Sequence, residues 1–344
     1  MPDYCDVIPV PRHLWAQTCR GFLDDSYQQL WEYGEAVAAR FRCTCEHVAI
    51  RMNDEIIGAA TVRLRQIPLL GGGLAYLSGG PITRRGRADD VQAFERALDA
   101  LQQEYVDRRG MTLRVLAPIG SPEWNRAVTT SVASRAATIS SSARRYRTLL
   151  VEIDRSEEEI LAGCSKYWRR NLRRADRAEF YVRSGTDLSL FDQVIPLHRE
   201  TVDRKRFRAS LDAPFYRDLQ TRLQGEERLF ADVVELDGHP VAGLLSSHRG
   251  DTCVPLVLAA TELGLTSYAA YLLQWTSIQR ARSMGMRFYD MGGIDPEENP
   301  GVFNFKQGVR GVDLTAPGPI DLRAQSVRAK VTEHAERLYR RLAV

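Results

Sequence analysis

Apolar positions recur along this chain at two periods, and the alternation between them predicts its elements. Val91, Phe94, Leu98, Leu101 and Tyr105 fall three and four residues apart, the stripe of an amphipathic helix, and Gly110 ends it. Residues 111–117 then read as a strand that stops before Pro118. Upstream, residues 26–41 read as a helix entered from Asp24-Asp25-Ser26, with Leu30, Tyr33 and Val37 at helical spacing. Two β-rich runs on either side of Asn53-Asp54 predict a hairpin over 47–64. A short strand over 74–77 follows the Gly71-Gly-Gly73 turn and ends at Gly79-Gly80-Pro81.

The second half repeats that order. It reads as a helix over 191–204, a hairpin over 228–247 on the Asp237-Gly238 turn, and a strand over 252–260. A helix over 267–284 carries Tyr268, Tyr271, Trp275 and Ile278 on one face; Gly285 stops it, and a strand over 286–291 follows. Arg109-Gly-Met-Thr and Met284-Gly-Met-Arg mark the same helix end, glycine and strand in both halves. A tandem repeat of one α/β unit is the economical account. The expected fold is α+β, two mostly antiparallel sheets flanked by helices. The boundary is placed near residue 150, because residues 154–160 look like a helix start, giving domains 1–150 and 151–319. An Arg-rich final segment, 320–344, is read as a closing helix.

One stretch stands apart. Residues 289–308 begin as a strand, break at Gly292-Gly293, pass through a loop rich in Pro, Asn and Glu, and end at Phe305-Lys306-Gln-Gly308. Positive charge is written almost wholly as arginine, and the four lysines are Lys166, Lys205, Lys306 and Lys330. A lysine beside Phe305 asks for a compact ammonium where a planar fork would not serve.

Composition narrows the classes. The length allows about two domains with a core in each. No run of about 20 apolar residues occurs and the first residues carry no leader pattern, so a cytoplasmic protein is expected. The six cysteines are scattered, which fits a reducing compartment. A net charge of +3 is too mild to imply nucleic acid by itself, but residues 166–177 are strongly basic. Walker, dinucleotide, zincin and nucleophile-elbow patterns are all missing. Cys43-Thr-Cys45-Glu-His47 runs into a strand with no second Cys pair, so neither metal nor cofactor is expected. His198 and His239 are assigned to a solvated helix face and a turn; Cys164 and Cys253 are taken as buried thiols.

Six segments, in order, carry a resemblance: Gln29-Leu-Trp-Glu-Tyr-Gly-Glu35, Gly79-Gly-Pro81, the run 167–177, Thr201-Val-Asp-Arg204-Lys-Arg-Phe207, Tyr271-Leu-Leu-Gln-Trp275, and the stretch ending Phe305-Lys306-Gln-Gly308. Together they resemble the Fem family, aminoacyl-tRNA-dependent transferases that build peptidoglycan cross-bridges on two GNAT-like domains. The likeness runs from about Tyr27 to Val312. Residues 194–228 leave no room for the coiled-coil arm of some members, so the short members are the nearer comparison, and in them a C-terminal helix packs back on the first domain.

The resemblance implies aminolysis of the ester that joins an amino acid to a tRNA 3′ end. Lys306 would stand at the developing oxyanion, with Phe305 limiting its hydration. Arg204, with Thr201, would grip the acceptor's phosphates, a task suited to a guanidinium fork. Tyr271 would face substrate, although the helical stripe explains it equally as core; the clustered charge of Arg169, Arg170, Arg173 and Arg174 suits a tRNA backbone or, equally, a solvated helix face. The implied partners are aminoacyl-tRNA and an amine on a cell-wall precursor, with peripheral contact at the inner membrane face and a monomeric enzyme. Two departures weaken the acceptor half: Val37 stands where the family has a phosphate-binding lysine, and Thr83-Arg84 where an aspartate is common. Arg40 or Arg84 would have to compensate, and a non-peptidoglycan amine stays open as acceptor. Acyl-CoA chemistry is the competing reading, although residues 260–266 hold one glycine and an acid where a pyrophosphate turn would stand.

Overall fold

The computed structural model describes residues 5–67, 72–134, 138–139, 145–205 and 211–323. The chain forms two units, residues 1–146 with 315–344, and residues 147–314.

In the first unit, β1 (Cys5–Pro9) and α1 (Arg12–Cys19) lead through a 3-10 turn (Tyr27–Gln29) into α2 (Trp31–Arg40). The hairpin β2 (Thr44–Met52) and β3 (Glu55–Ile67) comes next, then β4 (Gly72–Ser78), α3 (Val91–Leu101), β5 (Thr112–Leu116), α4 (Pro122–Ser134) and β6 (Thr138–Ile139). Asn53 and Asp54 both take positive φ, the twist a two-residue hairpin needs. The predicted stripe of α3 is realised, with Phe94, Leu98, Leu101 and Tyr105 all buried, although the last turns widen to a π-helix over Gln102–Arg108. The helix expected over 26–41 is broken at Leu30, because Gln29 is drawn inward. Its amide donates to the Ser78 and Gly79 carbonyls at 2.7 and 3.0 Å and accepts from the Thr61 N–H at 2.8 Å. Two of the six segments, at Gln29 and Gly79, are therefore one structural contact.

The second unit runs β7 (Arg147–Glu152), α5 (Glu157–Gly163), α6 (Lys166–Ala175), β8 (Tyr181–Gly185), α7 (Leu188–Lys205), α8 (Ala213–Gln220), β9 (Phe230–Leu236), β10 (His239–Arg249), β11 (Thr252–Ala260), α9 (Glu262–Thr266), α10 (Ala269–Ser283), β12 (Phe288–Asp290), α11 (Pro300–Gln307) and β13 (Val312–Thr315). The expected helix start at 154–160 is a capping box between Ser156 and Glu159. His198 is a correction: it is 7% exposed on α7, and burial lowers its pKa.

The chain then returns to the first unit as β14 (Ile320–Leu322), which lies between β5 and β6. A helix was expected from 320 onward, but these three residues are a strand, with Asp321 buried against the Arg114 guanidinium, Oδ1 to Nε 2.6 Å. The rest of that expected helix lies outside the described residues.

The two sheets have seven strands each, in the orders β1-β2-β3-β4-β5-β14-β6 and β13-β7-β12-β11-β10-β9-β8. The repeat is explicit in the pairing. The series β1 to β5 and the series β8 to β12 both run antiparallel until a final parallel pair, β4 with β5 and β11 with β12. Each sheet has its own core, built around Phe94, Leu113 and Trp124 in the first and Trp168, Ile278 and Tyr289 in the second.

Candidate active site

The parallel pairs differ in length. β4 and β5 stay in register over five residue pairs, whereas β11 and β12 pair only at Thr252–Phe288 and Cys253–Tyr289. Beyond Cys253 the two strands part, and the chain leaving β12 turns through Gly292 at φ 73°. A β-carbon on Gly292 would stand 3.4 Å from Lys306 Nζ and 3.7 Å from the Pro255 carbonyl of β11. The lysine therefore enters the opening between the parted strands.

Lys306 arrives there on a helix, where a loop was expected. Asn299 and Pro300 open α11, Pro at the first helical position costing no hydrogen bond. Phe303 packs on the core of the second unit, and the Phe305 ring meets Tyr271 edge-on at 4.9 Å. After the helix, Gly308 lies so close to Trp168 that a β-carbon would come within 2.7 Å of its Cδ1, and its carbonyl accepts from the Ser165 N–H at 2.8 Å. The last turn of α11 is thus fastened to the start of α6.

The ammonium donates to the Gly293 carbonyl at 2.9 Å. Burial pulls Lys306 down to about 8; the Asp290 carboxylate opposes this, and Lys205 adds to it. Asp290 is itself buried and fixed, accepting from the Gly292 N–H at 2.7 Å and from the Thr148 hydroxyl. Lys205, Asp290 and Thr148 were not singled out as site residues from the sequence. The scarcity of lysine was the available signal, since two of the four interact here.

Tyr271 also faces Trp168, ring centroids 5.7 Å apart, and burial raises its hydroxyl pKa against the effect of the Asn171 amide. Trp168 and Asn171 are each 1% exposed; the Asn171 amide lies against the Tyr271 hydroxyl, whereas the Trp168 indole N–H has no hydrogen-bond partner. Buried polar groups are seldom left so.

Arg204 and Thr201 lie together on α7, both on the end of β11. Arg204 Nη2 donates to the Ala260 carbonyl at 2.9 Å and its Nη1 pairs with Glu200 at 3.5 Å. The buried Thr201 hydroxyl exchanges hydrogen bonds with both backbone groups of Ala260 at 3.3 Å. On α6, Trp168, Asn171, Leu172 and Ala175 face inward. Lys166, Tyr167, Arg169, Arg170 and Arg173 line an open concavity on the other side, and Arg174 donates to the Tyr268 hydroxyl at 2.7 Å.

Arg84 and Arg40 belong to the first unit. Arg84 Nη2 donates to the Leu23 carbonyl at 3.1 Å and its Nε lies 3.6 Å from Asp89, while Arg40 is exposed at the end of α2. Val37 is core, 1% exposed, so no cation could stand at that position without rebuilding α2.

Residues 162–307 match the acetyltransferase (GNAT) domain family, which spans most of the second unit. Over the whole chain the fold is that of FemX: 14% identity, 97% of this chain and 99% of that one covered, TM-score 0.77. The C-terminal domain of a putative lysylphosphatidylglycerol synthetase from Agrobacterium fabrum is similar at 11% identity, covering 95% and 96%, with TM-score 0.54. A tandem GNAT protein from the clavulanic acid biosynthesis pathway follows at 13% identity, 91% and 97%, and 0.50. No curated protein matches the chain. Domain match and fold together define a class: the second unit carries a GNAT-type acetyltransferase domain, and the chain as a whole has the FemX fold. No described helix is long and apolar enough to cross a membrane.

Proposed function

We propose that this acyltransferase moves an amino acid from aminoacyl-tRNA to an amine, and that a peptidoglycan precursor side chain is the acceptor. The observation that carries the reading is the Lys306 ammonium held at the opening between β11 and β12. The acceptor nitrogen attacks the ester carbonyl, the carbonyl oxygen takes up negative charge, and collapse expels the tRNA 3′ oxygen, which gains the proton the amine loses. An ammonium has three N–H donors, and with one committed to Gly293, two are left for the oxyanion. Removing one such donor typically costs about 3 kcal/mol of the barrier. Trp168 Nε1 and the Asn171 amide would supply polar contacts to the aminoacyl group. The exposed arginines of α6 suit an RNA backbone.

A second reading, acyl-CoA as donor, meets a specific obstacle. The backbone N–H groups at the β11 to α10 connection already have partners: Gly264 N–H is capped by the Thr261 hydroxyl at 3.0 Å, and Glu262 N–H by the Glu200 carboxylate at 3.3 Å. A pyrophosphate would displace those caps and face two acids.

The test supplies a charged tRNA pool, each amino acid labelled in turn, with a cell-wall precursor fraction and a total small-molecule extract as acceptors. Ribonuclease-sensitive label in the precursor supports the proposal. Label in another amine moves the acceptor, and ribonuclease-insensitive label from acyl-CoA overturns the donor.

A further inference from the structure

The first unit holds a group of side chains that the acyl-transfer reading does not use. Cys45 and His47 are two apart on β2, so the pleat points both at the same neighbour. That neighbour is α2, and the closest backbone on it is Gly34. A β-carbon there would lie 2.9 Å from Cys45 Sγ and 3.1 Å from His47 Nε2. The next residue along α2 is Glu35, exposed, and one ligand atom from each of Glu35, Cys45 and His47 lies within 4.8 Å of the others. His47 is 4% exposed, and its Nε2 has no hydrogen-bond partner. The ring is held from elsewhere: it stacks on Trp31 at 3.7 Å, meets Trp15 edge-on at 5.0 Å, and hydrogen-bonds the Trp31 backbone.

From this cluster we infer a zinc site formed by Glu35, Cys45 Sγ and His47 Nε2. A thiolate, an imidazole and a carboxylate are the donors zinc favours, and a histidine ligand usually has its other nitrogen fixed by a backbone carbonyl or carboxylate. In tetrahedral zinc, neighbouring ligand atoms stand about 3.5 Å apart, given bond lengths near 2.0 to 2.3 Å. Glu35 is the exposed member of the three, so its carboxylate is the donor that can adjust toward the other two. Cys45 and His47 sit on a paired strand, Cys45 opposite Arg63 and His47 opposite Thr61, so they are already placed. Only glycine at position 34 lets α2 come this close to the two donors, because a β-carbon there would also stand 2.6 Å from the Thr61 methyl. Three protein donors leave a fourth position for water or an oxygen ligand.

The experiment uses the full chain, stripped with a chelator and titrated with zinc against a chromophoric competitor, and separately with cobalt(II). The expected result is one zinc per chain and a cobalt spectrum with a thiolate charge-transfer band. Cys45→Ser and His47→Gln each weaken zinc at least about tenfold, in line with loss of a first ligand. Gly34→Ala abolishes binding with all three donors present, and Cys43→Ser leaves it unchanged. Melting curves with and without zinc report a stabilisation in the parent chain that the Cys45 and His47 variants lack. No stoichiometric zinc, no thiolate band, or binding that survives both Cys45→Ser and His47→Gln overturns the site.

Discussion

Lys306 Nζ donates to the carbonyl of Gly293, 2.9 Å away across the turn that leaves β12. That bond fixes the charge at the opening of the sheet while burial lowers its pKa to about 8. Lys306→Met is expected to reduce turnover about 10²- to 10³-fold with the fold intact, the usual loss for an oxyanion donor. Steady-state rates and circular dichroism check both halves of the statement.

The pH dependence follows from the same group. If the ammonium is the working form, loss of its proton lowers the rate as pH rises through about 8. A base at this position would give the opposite slope. Stability has its own sign. Below about 8 the lysine is protonated in both folded and unfolded chains, and the fold bears the cost of that buried charge. Between about 8 and the unfolded value near 10.4 the unfolded chain binds more protons, so stability rises with pH. Lys306→Met should flatten that rise in urea titrations run at a series of pH values.

Gly292 has φ 73°, and a methyl group there would reach 3.4 Å from the ammonium. Gly292→Ala is expected to cost about 1 to 2 kcal/mol of stability from backbone strain. It should also lower the turnover number more than it raises the Michaelis constant. Thermal melts and initial-rate kinetics separate the two effects.

How far the sequence revealed this arrangement depends on the kind of signal each part needed. Hairpins at Asn53-Asp54 and Asp237-Gly238 were legible because turn chemistry and β-rich runs are local. The helix carrying Lys306 was not, since Pro300, Gly301 and Asn304 are turn formers and none of its residues is fully buried. Contacts to Trp168 and Tyr271, more than 30 residues away in sequence at the nearer of the two, hold it. β14 escaped notice for a related reason, being three residues whose central Asp321 is buried only because Arg114 waits for it. The Cys45 and His47 pair was visible as a spacing; Glu35 joins it through helix-on-sheet packing, which no local pattern records.

A buried ion pair in the second unit gives a test of the scaffold alone. Asp232, fully buried on β9, accepts from both terminal nitrogens of Arg280 and from the Ser184 hydroxyl at 2.5 Å. Asp232→Asn strands the guanidinium, and a loss of about 3 to 5 kcal/mol in urea unfolding is expected.

Arg170 and Arg173 are exposed on α6. Replacing both with Ala is expected to weaken RNA binding and to make the dependence of log affinity on log salt shallower by about 1 to 2, the count of lost phosphate contacts. Filter binding at several salt concentrations measures the slope. An unchanged slope would remove these residues from the RNA surface.

The separation of β11 from β12 creates an edge in the interior of a sheet. From Val254 to Ala260 the strand has no strand partner on that side among the described residues, and Pro255 turns its carbonyl toward the opening while lacking an N–H to offer. An interior edge of this kind would ordinarily zip shut or recruit another strand. Here Pro255, near its start, cannot donate to a ladder, so the opening persists as an unpaired edge that begins with a lone carbonyl. An extended backbone laid against that edge would meet an acceptor at Pro255 and no donor beside it, so its own N–H is what pairs there.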